Sequence, residues 1–294
     1  MRKMTLFFLL LFACLLSTGP AVAGPYTDDG IDGYVDGNVN PAFVAWATGY
    51  LNYQPAEALN PVNDGTYATD GGVATQFRTP ENALGEIGNG IVTLGDLYQE
   101  QIDAGASPGE ITLTFDTTIY DGDGGDFAVF ENGFFSGGLL FAELAYVEVS
   151  TDGTNWARFD SISLTEGLAG AYGTIDPTDV HNLAGKHPNN YGTSEGTLFD
   201  LSDLLDNTSV IAGLVDLDNI NYIKIIDIPG SGDYLDSEGN SIYDAWVTWG
   251  SGGFDLDGVG VINAVPVPGA VVLMGSGLLG LIGIRRRSER NCAV

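Results

Sequence analysis

Cysteine is nearly absent from this 294-residue chain. Cys14 and Cys292 are the only two, one near each end, so the long stretch between them forms no disulfide and offers no thiolate to a zinc site. Histidine is as scarce. His181 and His187 match no zinc spacing and leave a serine hydrolase little choice of base. Basic residues are few and unevenly placed. Arg2, Lys3, Arg285, Arg286, Arg287 and Arg290 lie at the ends, which leaves Arg78, Arg158, Lys186 and Lys224 facing 38 of the 39 acidic residues. The body therefore carries a net charge near −34. Such a field repels nucleic acid and anionic lipid and draws in cations. No repeat period and no alternation of strands with helices appears, which argues against a parallel α/β fold.

The ends carry the long apolar runs. MRKMTLFFLLLFACLLSTGPAVAG has basic Arg2 and Lys3, an apolar stretch from Leu6 to Leu16, and small residues at Ala21 and Ala23. It reads as a secretory signal peptide spanning residues 1–23. Leu11-Phe12-Ala13-Cys14 has the letters of a lipoprotein box, but Phe12 is too bulky and Cys14 comes too early. At the other end Gly269 to Ile284 is uncharged, and Arg285, Arg286 and Arg287 follow at once. A helix of 16 residues spans about 24 Å, a minimal crossing that the preceding Val265–Pro268 would lengthen. The arginines place the tail 285–294 on the cytoplasmic side.

The order Val265-Pro266-Val267-Pro268, short glycine-rich helix, arginine cluster resembles the PEP-CTERM sorting tail, in its VPLPA-like variant, because Val267 stands where the commoner pattern has Glu. That resemblance implies export in a Gram-negative bacterium and a transient inner-membrane anchor. It also implies recognition by an exosortase-type membrane enzyme and delivery to the cell surface or the exopolysaccharide matrix. Gly275-Ser276-Gly277-Leu278-Leu279-Gly280 fits the dinucleotide pattern by letters, but it follows no strand and is better explained by helix packing.

Residues 24–263 read as one all-β exodomain, a jelly-roll-like sandwich with long loops and little helix. Ile111, Leu113 and Phe115 alternate with threonines, as a half-buried strand does, and Asp126 to Phe130 forms a central strand. Tyr146–Ser150 and Asn155–Phe159 flank Asp152-Gly153, a hairpin signal. Ile91–Leu94, Asn221–Ile228 and Phe254–Ile262 are further strands. Asn40-Pro41 predicts the start of a short helix over Asn40–Trp46, and Asp200 or Ser202 caps a helical turn. The body also resembles a group of exported bacterial surface proteins, through Asp126–Phe134, Phe141-Ala142-Glu143, Val147–Gly153, Ala184-Gly185-Lys186 and Gly253–Asp257. No activity comes with that likeness.

Aspartates outnumber glutamates 27 to 12 and cluster with glycine in turns, where oxygen ligands for calcium would sit. The first candidate is Asp121-Gly122-Asp123-Gly124-Gly125-Asp126, which lacks the Gly and Glu positions of an EF-hand. The second is Asp255 with Asp257, two residues apart and so on one face of the last strand. Glu131 and Asp244 are placed to join either group.

Catalysis has weaker support. Gly192-Thr193-Ser194-Glu195-Gly196 matches a nucleophile elbow by letters but lies in a polar loop after His187–Asn190, without the required strand-turn-helix. The expectation is a protein that is not an enzyme. A carbohydrate-binding module is the alternative. In Tyr243–Trp249, strand alternation would put Trp246 on one face with Asp244 and Thr248, as a stacking platform with a hydrogen-bonding neighbour for exopolysaccharide.

Overall fold

The structure, a computed structural model, describes residues 23–28, 30–56, 75–248 and 250–266. The sequence expectations for residues 1–22, for Val267 and Pro268, for the helix 269–284 and for Arg285, Arg286 and Arg287 fall outside the described residues. Among the described residues no helix is long and apolar enough to cross a membrane.

Twelve strands build two sheets of six. In chain order they are β1 (Ile31–Asp32), β2 (Ala45–Trp46), β3 (Gly49–Gln54), β4 (Val92–Thr93), β5 (Glu110–Ile119) and β6 (Phe127–Glu131). They continue with β7 (Ala145–Ser150), β8 (Ala157–Arg158), β9 (Glu195–Phe199), β10 (Ile220–Asp227), β11 (Asp255–Val261) and β12 (Ala264–Pro266). The first sheet has the order β1-β9-β6-β11-β2, with β4 also on β11; the second runs β8-β7-β10-β5-β12, with β3 also on β5. Every pairing among these strands is antiparallel. The α-helices among the described residues are Gln99–Asp103 and Thr208–Ile211, so the described body is all-β, as its strand patterning predicts.

Period-two patterning explains how the sheets face each other. Ile223 and Ile225 on β10, Val147 and Val149 on β7, and Ile111 and Leu113 on β5 turn inward and are buried. Across the interface they join Phe127, Val129, Val259 and Val261 of the first sheet in a single apolar cluster. Phe127 stacks on Phe199 with ring centroids 5.4 Å apart, and Phe159 closes on both. Each such fully buried side chain contributes about 1.5–3 kcal/mol. The outward residues of β10 behave differently. Lys224 pairs with Glu148 at 3.1 Å and lies over the Trp156 ring.

Strand β6 is buried along its whole length, since Phe43 and Ile87 cover Ala128 and Phe130 on its outer side. This is why Asp126–Phe130 lacks alternation. The hairpin at Asp152-Gly153 forms as expected: Gly153 takes φ +74°, and the Asp152 carboxylate accepts from the amides of Thr154 and Asn155. Asp200 caps the 3-10 turn Leu201–Leu204 through the Ser202 amide.

Three local expectations are corrected. Asn40 does accept from the Ala42 amide as a cap would, but the chain turns and enters β2 instead of a helix. The Val44 amide donates to Val261, and pairing with β11 outweighs the weak propensity of so short a helix. Tyr243–Thr248 is not a strand, so the expected alternation of its side chains does not hold. Conversely, Glu195 and Gly196, read as loop, begin β9 and pair with β1.

Candidate cation sites

Two groups of carboxyls lie at opposite ends of β6. The first follows β5, where the Asp121–Asp126 loop returns the chain into β6. Asp126 is fully buried, and its two oxygens accept from the Gly122 amide at 2.9 Å, the Leu201 amide at 2.7 Å and Asn263 Nδ2 at 2.8 Å. Asp200, capping the next turn, brings its carboxylate alongside. Oxygens of Asp121, Asp126 and Asp200 come within 4.8 Å of one another. Burial raises Asp121, and the charges of Asp126, Asp200 and Asp218 raise it further. The sequence reading is corrected in one member: Asp123 is exposed and stands outside this group, and Asp200 takes its place. Asp200 is 79 residues downstream of Asp121, and only the β6–β9 pairing brings it here.

The second group lies at the other end, where β6, β10 and β11 meet the segments after β4 and before β7. Asp96, Glu131, Glu143, Asp227, Asp244 and Asp255 are each at most 5% exposed. The Glu131 Oε2 atom accepts from the Gly133 amide at 2.6 Å, whereas its Oε1 has no hydrogen-bond partner among the described residues. Asp227 accepts from the Phe254 amide through Oδ1, and its Oδ2 is likewise unpartnered among them. Thr93 donates to Asp255, and the Thr248 hydroxyl donates to Glu143 Oε1 at 2.5 Å. Asp96 accepts from the amides of Leu97 and Thr248, and Asp244 from that of Leu144. Gly253 is needed here. It sits at φ +68°, and a Cβ would come within 2.4 Å of the Gly95 carbonyl oxygen.

Electrostatics sets this group apart. Burial first, then the charge of Asp255, pushes Glu131 well above the ordinary carboxyl range. Burial, then Asp255 and Glu131, does the same to Glu143, and burial with Asp96 does it to Asp227. Asp244 is raised by burial and by Asp96. Burial lifts Asp96 and Asp255 to about 7. The charges that act on the group are those of other carboxylates. Of the basic residues of the body, Arg158 and Lys224 pair with Glu148 and Lys186 with Asp28, while Arg78 and Asp255 both act on Tyr53. Burying carboxylates without a countercharge costs several kcal/mol each, which protonation or a bound cation relieves.

The remaining sequence candidates distribute as follows. Glu131 and Asp255 belong to the second group. Asp257 does not join them, because a register shift between Leu256 and Gly258 re-aims the strand. Its carboxylate instead accepts from the Gly88 amide and Asn189. Asp244 is 1% exposed, so it is no contact for a glycan, and Trp246 Nε1 donates to the Leu97 carbonyl. The paired platform expected from Trp246 and Asp244 is therefore not formed. Sequence reasoning missed Asp96, Glu143 and Asp227. The available signal was an acid embedded in apolar neighbours, as in Phe141-Ala142-Glu143-Leu144 and Ile225-Ile226-Asp227-Ile228.

Two pockets adjoin these elements. One, of about 180 Å³, is floored by Glu143 and Asp255 and bordered by Phe134, Phe141, Tyr172 and Tyr191. Tyr172 and Tyr191 are 72% and 81% exposed. The other, of about 470 Å³, contains Asp28, Lys186, His187 and Glu195. Burial there raises Asp28, but hydrogen bonds from His187 and Lys186 and the lysine's charge outweigh it and hold the carboxyl well below its usual range. The Ser194 hydroxyl has no hydrogen-bond partner among the described residues.

No family model matches the chain. Over 91 residues it is 34% identical to an orotidine 5'-phosphate decarboxylase from Aureobasidium pullulans, a stretch covering 30% of this chain and 33% of that protein. The chain thus spans about a third of that relative, and a match of this extent assigns neither a family nor an activity.

Proposed function

We propose that this is a non-enzymatic exported protein of the cell surface or exopolysaccharide matrix. In this reading its body is jelly-roll-like, a C-terminal exosortase-type signal sorts it, and calcium stabilises it. One observation carries the reading. β12 lies along β5 with Val265 opposite Thr118 and Pro266 opposite Thr117. Val265 and Pro266, with which the proposed sorting motif begins, thus lie at the edge of the second sheet rather than in the core. Residues 1–23 and 269–284 act as export and anchoring segments on either side of the body. Calcium enters at Asp121, Asp126 and Asp200, whose oxygens already converge, with the partly exposed Asp121 and Asp200 opening the site to solvent.

The experiment is intact mass and fractionation of the full chain made in an exopolysaccharide-producing Gram-negative host, with and without its exosortase-type enzyme. The expected product is surface-associated, lacks the first 23 residues, and loses the segment after the motif only when the enzyme is present. A full-length product in the cytosol, or identical masses in both hosts, overturns the reading.

A carbohydrate-binding module is the second reading. It is favoured by the exposed rings of Tyr172 and Tyr191 beside the pocket over Glu143 and Asp255, in place of Trp246. Glycan-array binding lost in Tyr191→Ala and kept in Trp246→Ala would support it.

A further inference from the structure

We propose that Glu131, Glu143 and Asp255 form a second, buried binding site for one hard divalent cation of the calcium class, reached through the pocket beside Tyr172 and Tyr191. The site is separate from the Asp121 loop and does not depend on it.

Three observations support it. First, the placement is dictated by the sheets: Glu131 ends β6 opposite Leu256, Asp255 begins β11 opposite Thr93, and the Asn132 amide donates to the Asp255 carbonyl at 3.1 Å. These pairings bring the backbones of Glu131 and Asp255 together, and both carboxylates act electrostatically on Glu143, to which the Thr248 hydroxyl donates. Second, Glu131 is fully buried with Oε2 committed to the Gly133 amide and Oε1 left without a partner among the described residues, and the strongest charge acting on it is Asp255. An orphaned buried carboxylate oxygen under the charge of another carboxylate is an arrangement that a cation resolves. Third, Glu143 and Asp255 reach the wall of the 180 Å³ pocket, which leaves room for the waters that complete a calcium shell of six to eight oxygens.

The donors are all oxygens, with no thiol and no imidazole among them, which favours a hard cation over zinc or copper. No three oxygens of this set lie as close together as those of Asp121, Asp126 and Asp200, so binding draws the side chains inward. Calcium tolerates such an irregular, adjustable shell better than magnesium does.

The test counts calcium per chain after equilibrium dialysis with calcium alone, and follows melting with and without chelator. It uses the whole protein and a variant, Asp121→Asn/Asp200→Asn, that silences the loop while keeping its hydrogen-bond acceptors. The loop-silenced protein is expected to hold one calcium. Its melting temperature should rise by about 5–10 °C at calcium a hundredfold above Kd. Adding Glu131→Gln/Asp255→Asn is expected to remove both the calcium and the shift. Should those two substitutions prevent folding, the single Glu143→Gln decides, with affinity expected to fall at least tenfold. Absence of calcium and of any shift in the loop-silenced protein overturns the proposal, as does affinity within twofold after Glu143→Gln. Equal counts for the whole protein and the loop-silenced variant would instead remove calcium from the loop, so the two readings fail separately.

Discussion

The two ends of β6 hold the same functional group in opposite states. At the Asp126 end a buried carboxylate has both oxygens taken by two amides and Asn263, and the acids around it reach solvent. At the Glu131 end six carboxyls sit almost wholly out of water, and two of their oxygens have no partner among the described residues. The difference lies in the supply of donors. A loop leaves amides free to turn toward a carboxylate. At the Glu131 end five backbone amides and the hydroxyls of Thr93 and Thr248 are shared among six carboxyls, too few to fill every oxygen. Acidity by itself therefore says little about a site; what decides is whether the backbone has already neutralised it.

Three measurements break or sharpen that comparison. The largest effect is expected from Asp126→Ala, which strands the Gly122 and Leu201 amides and Asn263 at once. Urea unfolding should show a loss of about 3 kcal/mol or more, and a loss below 1 would mean that Asp126 is not the anchor of its end.

Next comes pH, measured with chelator present. Asp96 and Asp255 are lifted by burial to about 7 in the folded chain, above their unfolded value near 4, so folding takes up protons. Their contribution is complete below pH 4 and is lost as pH rises through 7. Chelated protein should thus gain about 3 kcal/mol, roughly 1.4 for each group, between pH 8 and pH 6. Stability that falls over that interval would contradict the account of the Glu131 end.

The smallest effect belongs to the exposed end. Asp121→Asn/Asp200→Asn keeps the caps and removes two mutually repelling charges, so in chelator it should change stability by no more than about 1 kcal/mol. With calcium present, the variant should lose the part of the stabilisation that comes from the loop. A large loss in chelator would mean that those carboxylates hold the fold without any ion.

Much of the fold was legible because it rests on local chemistry. Ile111 and Leu113 alternate with threonine, Asp152-Gly153 can only turn, and Asp200 precedes an amide it can cap, so β5, the β7–β8 hairpin and the 3-10 turn follow from neighbours in the chain. The misread segments are those whose partners are remote. Asn40 caps a turn, yet β2 forms because Val261, more than 200 residues later, offers its carbonyl to Val44. The candidate sites divide the same way. Asp121 and Asp126 were visible as an acidic glycine loop. Asp123 was included because sequence spacing cannot show which of three aspartates turns to solvent, and Asp200 was missed because it arrives from another strand. The sequence allows Glu131 and Asp244 to join Asp255, but nothing in their spacing announces that Asp96, Glu143 and Asp227 close around them.

The sequence by itself determined that the body is acidic, free of disulfides, built of strands, and bounded by apolar runs with basic flanks, since charge, cysteine content and period-two patterning are properties of the chain read in order. Only the tertiary structure decided which carboxylates share a site and which are already satisfied. Residues more than 200 positions apart become neighbours through sheet register, and burial, which turns an ordinary aspartate into an unpaired charge, exists only once the sheets have closed over it.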